Sequence, residues 1–312
     1  MATRIPSDRN PHRRALPSAL LLGFFALVGC HPGNVEAKRL IRACETGDAA
    51  SCNKLGQRLL KGEYVLRDET RAAQVFKQAC DGRVGDGCTA LGTMHQTNRA
   101  IRRDSTLVAG LYKQGCELGA MNGCTRLGEL HLRGRGVPRD TGRALALFQQ
   151  ACGGNDMPGC SQLGTLYASG GGVAQDVAKA ADLFQRSCAA KVALGCLELG
   201  RLRALGSGVP QNDSIAADLF KQACDSREVA ACFQLAVVHE QGRGIPQNFQ
   251  LAARLYREAC DERYGAACYN LAQMYQKGAG VYRDPEQAAE YMRRACQNGY
   301  AEACPQKPRT SS

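Results

Sequence analysis

The chain has 312 residues, 44% of them hydrophobic, no Trp and only 6% aromatic; a composition rich in Ala, Leu and Gly suits close-packed helices and argues against a β-sandwich. Its formal charge of +11 contains no Lys/Arg block interleaved with aromatics, so nucleic-acid binding is unsupported. With 17 cysteines it does not read as an ordinary cytosolic protein, and an oxidising compartment is implied.

The first predicted element is a leader. "MATRIPSDRNPHRRALPS" is basic, "ALLLGFFALVG" (19–29) is apolar but too short to span a bilayer comfortably, and Cys30 follows at once. The tetrad Leu27-Val28-Gly29-Cys30 resembles a bacterial lipobox, which implies that residues 1–29 are a signal peptide and that Cys30 carries lipid. Arg13-Arg14 lacks the flanks of a twin-arginine signal, leaving the general secretory route. His31, standing where Asp would retain a lipoprotein in the inner membrane, resembles the outer-membrane sorting pattern, so the periplasmic face of the outer membrane is the expected location. Residues 30–37 are expected to form a short tether, with a helix over about 35–44 as an N-terminal half-repeat.

The other sixteen cysteines are Cys44, Cys52, Cys80, Cys88, Cys116, Cys124, Cys152, Cys160, Cys188, Cys196, Cys224, Cys232, Cys260, Cys268, Cys296 and Cys304, with spacings that alternate 8 and 28 without exception. A period of 36 residues therefore runs through the chain, the mark of a repeat array. Aligned on the second cysteine of each pair, "CTRLGELHLRGRGVPRDTGRALALFQQAC" (124–152) and "CSQLGTLYASGGGVAQDVAKAADLFQRSC" (160–188) each show a helical run, a Gly-rich turn and a second helical run. Leu stands three positions past that cysteine in every copy (55, 91, 127, 163, 199, 235, 271), followed by Gly, or by Ala at 236 and 272, where a neighbouring helix can approach closely. Gly134, Gly170, Gly206, Gly242 and Gly278 fit left-handed C-caps of the first helix, with Asn98 in that place in the second copy. A β-branched residue three later (Val65, Ile101, Val137, Val173, Val209, Ile245, Val281) is placed to plug the hairpin end. The second helix then opens on Asp68, Asp104, Asp140, Asp176, Asn212, Asn248 or Asp284, all good N-caps.

The cysteines suit disulfides better than other chemistry. Zinc needs four converging ligands, and C-x7-C pairs without nearby His offer two; the spacing is also too long for a redox dithiol. Joining each Cys to the one eight later uses all sixteen thiols, whereas joining it to the one 28 later orphans Cys44 and Cys304. The expected pairs are therefore Cys44–Cys52, Cys80–Cys88, Cys116–Cys124, Cys152–Cys160, Cys188–Cys196, Cys224–Cys232, Cys260–Cys268 and Cys296–Cys304.

These motifs, L-G-x-L/M-Y/H, then G-x-G-V-x-x-D, then A-x-x-L-F/Y-x-x-A-C, resemble the Sel-one-like repeat family, relatives of the tetratricopeptide repeat. The cysteine pairs look like its exported, Hcp-type cysteine-rich branch. The resemblance covers about residues 34–304, with departures at "KGEYV" in the first copy and "TNRAI" in the second. It implies an all-α fold: a right-handed α/α superhelical solenoid of 36-residue helix-hairpin repeats stapled by disulfides. One domain over 38–304 is expected, holding a half-repeat, seven repeats and a C-terminal partial repeat, with 305–312 as a disordered tail. It also implies an interaction scaffold for proteins or peptides of the cell envelope, held to the membrane by its lipid and monomeric; the precedent of penicillin binding or weak β-lactamase activity in the Hcp-type branch is the alternative.

No catalytic residue, metal or cofactor is expected. Ser51-Cys52-Asn53-Lys54 matches the S-x-x-K of serine β-lactamases, but S-D-N and K-T-G are missing. His95, His131 and His239 share one helix position that other copies fill with Tyr, Arg or Leu, a packing place more than a metal site; His239-Glu240 lacks the second His of a zincin helix. What varies from copy to copy is a polar stripe on the first helices: Arg126, Glu129 and Arg133; Gln162 and Thr165; Glu198 and Arg201; Gln234; Asn270 and Gln273. In a solenoid such a stripe lines the inner face, the place for ligand contact.

Overall fold

The computed structural model describes residues 32–97 and 104–304, and these hold fifteen α-helices, one short 3₁₀ turn and no strand. By compactness the chain divides into two units, residues 1–87 and 88–312, where one domain over 38–304 is expected from the sequence. The first unit contains α1 (Pro32–Glu45), α2 (Ala49–Lys61) and α3 (Glu69–Asp81) and the start of α4 (Gly85–Thr97). The rest of α4 opens the second, followed by α5 (Ser105–Glu117), α6 (Met121–Arg133), α7 (Thr141–Gly153), α8 (Met157–Ser169), α9 (Val177–Ala189) and α10 (Ala193–Leu205). Then come α11 (Asp213–Asp225), α12 (Val229–Gln241), α13 (Phe249–Asp261), α14 (Gly265–Lys277), α15 (Pro285–Gln297) and the 3₁₀ turn Ala301–Ala303.

In the first unit α2 packs on both α1 and α3. In the second, each helix from α5 to α14 packs on the next, and α8 also touches both α6 and α10. This is the stacking of helix hairpins in a solenoid, with even-numbered helices forming one layer.

The helices are thirteen residues long from α2 to α15 because the same signals delimit each. Asp68, Asp140 and Asp176 each accept the N–H three residues on at 2.8–2.9 Å, as do Asn212 and Asn248, while Asp104 and Asp284 each take two N–H groups. Left-handed glycines end the even-numbered helices at 62, 134, 170, 206, 242 and 278, with φ between 63° and 73°. Val137, Val173, Val209, Ile245 and Val281 are half-buried against the core beneath these turns. Asn98, Ile101 and the tail 305–312 lie outside the described residues.

The core repeats too. Phe76, Phe148, Phe184 and Phe220 are fully buried, and each presses on the glycine of the preceding helix. A Cβ on Gly164 would come within 2.7 Å of the Phe184 ring, and one on Gly56 within 2.6 Å of Phe76, so these glycines exist to let the aromatic in.

Two local expectations are corrected. The tether over 30–37 is helical from Pro32 onward, so only residues 30 and 31 of it precede α1. Pro32 is preset for the first turn, and Ala37 and Leu40 are buried, which seats the helix on α2. In the first repeat the turn "KGEYV" keeps the hairpin geometry, with Tyr64 rather than Gly in the left-handed region (φ 59°) and its ring against Gly33 of α1.

Candidate functional site

The even-numbered helices carry the polar stripe. On α6, Arg126 and Arg133 are exposed and Glu129 is half-buried; on α8, Gln162 is half-buried and Thr165 exposed. Glu198 and Arg201 on α10, Gln234 on α12, and Asn270 and Gln273 on α14 are half-buried. Part of the stripe is joined. Arg126 pairs with Glu129 at 3.6 Å, and Gln162 Nε2 reaches from the next repeat to donate to Glu129 Oε1 at 3.2 Å. Arg201 donates to Glu198 at 2.9 Å. Burial raises the Glu198 carboxyl above its usual range, with Arg201 opposing and Glu228 adding to the rise. Thr165 turns its hydroxyl back to Ser161 O at 3.1 Å, and Asn270 bonds Tyr256 instead of a stripe neighbour. The stripe is thus a row of polar groups on the even-numbered helices, with its charges partly paired.

The sulfurs form disulfides between residues eight apart. Cys44 is bridged to Cys52, Cys116 to Cys124, Cys152 to Cys160 and Cys188 to Cys196, with Cα separations of 4.5–4.6 Å. Cys224 is bridged to Cys232, Cys260 to Cys268 and Cys296 to Cys304, with Cα separations of 4.6–4.8 Å. The Cys296–Cys304 bridge ends beyond the 3₁₀ turn; the other six each tie an odd-numbered helix to the next even-numbered one. Cys80 and Cys88 are disulfide-bonded as well. The parity of the cysteine series thus leads to the pairing that the structure adopts, and no thiol among these residues is left to bind a metal or attack a substrate.

The possible catalytic groups are occupied otherwise. Ser51 donates its hydroxyl to Asp48 at 2.6 Å, and Asp48 caps α2 by accepting from Ala50 N. The Ser51 bond is the first cause holding the Asp48 carboxyl low. Cys52, the second residue of the S-x-x-K match, is bridged to Cys44. His131 Nδ1 lies 3.2 Å from Pro138 O, and Arg203, at the same repeat position, donates to Pro210 O at 3.3 Å. In these two copies that position fastens a helix to its own turn. His239 is half-buried there, and burial lowers its pKa. Among the described residues no three His, Cys, Asp or Glu side chains could hold a metal ion, and no helix is long and apolar enough to cross a membrane.

One polar pairing was not read from the sequence. Where the core aromatic is Tyr instead of Phe, the residue sixteen before it supplies an acceptor: Tyr112 donates to Gln96 Oε1 at 2.8 Å and Tyr256 to Glu240 Oε2 at 2.6 Å. Burial first, and then the Glu240 bond, raises the Tyr256 pKa. Opposite Phe148, Phe184 and Phe220 the same place holds Leu132, Ala168 and Ala204. The signal was present as a correlated change between copies.

Comparison with known proteins gives the family. The fold is similar to that of a protective antigen present in uropathogenic Escherichia coli strains, which displays an SLR fold (22% identity, TM-score 0.64, 86% of this chain and 57% of that one). This chain thus spans little more than half of the antigen's length. It is also similar to a Sel1 repeat protein from Oxalobacter formigenes (21% identity, TM-score 0.62, 90% and 82%) and, over 43% of its length, to Helicobacter pylori cysteine rich protein B (24% identity, TM-score 0.36, 99% of that chain). No curated protein sequence matches the chain. The Sel1 repeat profile matches residues 49–83, 122–156, 158–192, 193–227, 229–264 and 265–300, passing over the repeat that carries "TNRAI". With more than half of its length matched, in register with the helix hairpins of the structure, the chain belongs to the Sel1 repeat family.

Proposed function

We propose that this Sel1 repeat protein is an interaction scaffold of the bacterial envelope, exported by residues 1–29 and anchored through Cys30 at the periplasmic face of the outer membrane. The observation that carries the scaffold is the stripe. Leu and Gly or Ala repeat beneath it with little change, while Arg126, Gln162, Glu198, Gln234 and Asn270 differ at one position of successive copies. A surface that varies on a constant core suits contact with a particular partner protein or peptide. The lipobox-like tetrad and the disulfides support the envelope setting, since such bridges persist in oxidising compartments. Ser51 donates to the cap residue Asp48, and the sequence has no S-D-N or K-T-G element to support it as a nucleophile.

A photo-crosslinking residue placed at Thr165 or Arg126 in cells, compared with one at the exposed Gln185 of α9, tests the assignment. The expected result is a discrete adduct from the α6 and α8 positions and none from α9. Equal labelling from all three positions, or none from any, rejects the stripe as the binding face.

A further inference from the structure

We propose that the outward face of α1, formed by Val35, Lys38, Arg39 and Arg42, is a docking surface for an anionic lipid bilayer. These residues stand at i, i+3, i+4 and i+7 and so form one stripe along the helix. All four are exposed, Val35 by 61%, and with Ala43 and Thr46 they line a shallow groove of about 490 Å³ that contains no carboxylate. Among the described residues none of the three cations forms an ion pair. Glu36, the acidic residue in the first half of the helix, is held by Arg58 at 2.6 Å.

The repeat register shows that this face is a departure. At the place of Arg39, later copies carry Val75, Leu111, Leu147, Leu183, Leu219, Leu255 and Tyr291, all buried. An end of a repeat array must be polar to stay soluble, but solubility sets no sign of charge. Here the charges lining the groove are all positive, the exposed Glu45 at the end of α1 lying outside that lining, and an exposed Val lies in line with them. The occupant follows from position. The apolar run 19–29 and Cys30 precede Pro32 directly, so any attachment through them brings the first turn of α1 to within about 10 Å of the bilayer, at roughly 3.5 Å per extended residue. Anionic headgroups attract such cations within a Debye length of the surface. The basic face would lay the first repeat against the membrane and fix how it leaves the surface.

The proposal rests on the envelope reading above, so its test omits the acyl chain. The acyl-free chain 30–312 carrying Cys30→Ala, exported behind a cleavable leader without a lipobox, is measured by sedimentation with phosphatidylglycerol/phosphatidylethanolamine vesicles and with phosphatidylcholine vesicles. It should bind the first and not the second, with affinity falling as salt rises. Lys38→Gln/Arg39→Gln/Arg42→Gln should lower that affinity about 100-fold at low salt, roughly fivefold per charge. The charge-matched variant Arg139→Gln/Arg143→Gln/Arg186→Gln should retain most of it, with melting curves confirming that both are folded. Equal losses in the two variants, no loss in the first, or equal binding to phosphatidylcholine would each overturn the α1 face. Fractionation of the full chain with Cys30→Ala, its membranes washed in high salt to release protein held by charge alone, reads the anchor separately: a shift from pellet to soluble supports it, and an unchanged pellet rejects the lipobox.

Discussion

Tyr256 illustrates how a single atom is accommodated in this repeat. Its ring fills the place that Phe148, Phe184 and Phe220 fill elsewhere, but it carries a hydroxyl into the buried core, and Glu240 turns in to accept from it. Tyr256→Phe should therefore destabilise the protein by about 1–3 kcal/mol, since the carboxylate of Glu240 loses its partner at a half-buried site. Adding Glu240→Ala should recover much of the loss, because Phe184 with Ala168 and Phe220 with Ala204 already use the Phe/Ala pair. Denaturant melts of the single and double variants check this; a double variant no more stable than the single would show that the hydroxyl and carboxylate are not coupled.

At the scale of the element, the two glycines of each G-x-G turn have different duties. Gly242 ends α12 in the left-handed region, and a Cβ there would first meet Gln247 of its own turn, whose Cβ lies at 3.0 Å. Gly244 is also left-handed, but a Cβ on it would lie 2.4 Å from the backbone of Asp213 and Ser214, at the start of the preceding odd-numbered helix. The first glycine shapes its own hairpin; the second lets that hairpin stack on its neighbour. Gly242→Ala should cost about 1–2 kcal/mol from backbone strain alone. Gly244→Ala adds backbone collision, of order 1–3 kcal/mol more. Thermal melts of the pair decide it, and equal losses would remove the stacking role. The motif announced a turn in the sequence, but its second glycine acts on residues about thirty positions away, which no local pattern reveals. The turns leading into α4, α8, α10, α12 and α14 were hidden for a related reason: Arg83, Asn155, Lys191, Arg227 and Arg263 take positive φ where Gly47, Gly119 and Gly299 stand in other copies. A side chain at those glycines would point into open space, so packing does not demand Gly there and only the left-handed backbone opposes other residues.

For the whole molecule, the disulfides join neighbours that are already close, and each closes a loop of about nine residues. Loop entropy assigns each about 2–3 kcal/mol, so together they exceed the net stability of a typical domain. Complete reduction should lower the melting temperature by tens of degrees or unfold the chain at 37 °C, followed by circular dichroism with and without reductant; a melt unchanged by verified reduction would make the bridges ornamental to stability. The pairing of Cys116 with Cys124, of Cys152 with Cys160 and of Cys188 with Cys196 was legible from sequence, as were the ends of the even-numbered helices, the starts of the odd-numbered ones and the Leu that recurs in every copy. All of these depend on contacts that recur every 36 residues, and a period repeats its own evidence. What tertiary structure alone decided is whatever one copy does for another or for an end: Gln162 crossing to Glu129, Tyr64 folded over Gly33, Gly244 seated on Asp213, and Arg39 left bare on α1 where later copies bury an apolar side chain. The physical reason is that burial belongs to a neighbourhood. The sequence names the side chains, but only the stacked array determines which of them lose contact with water.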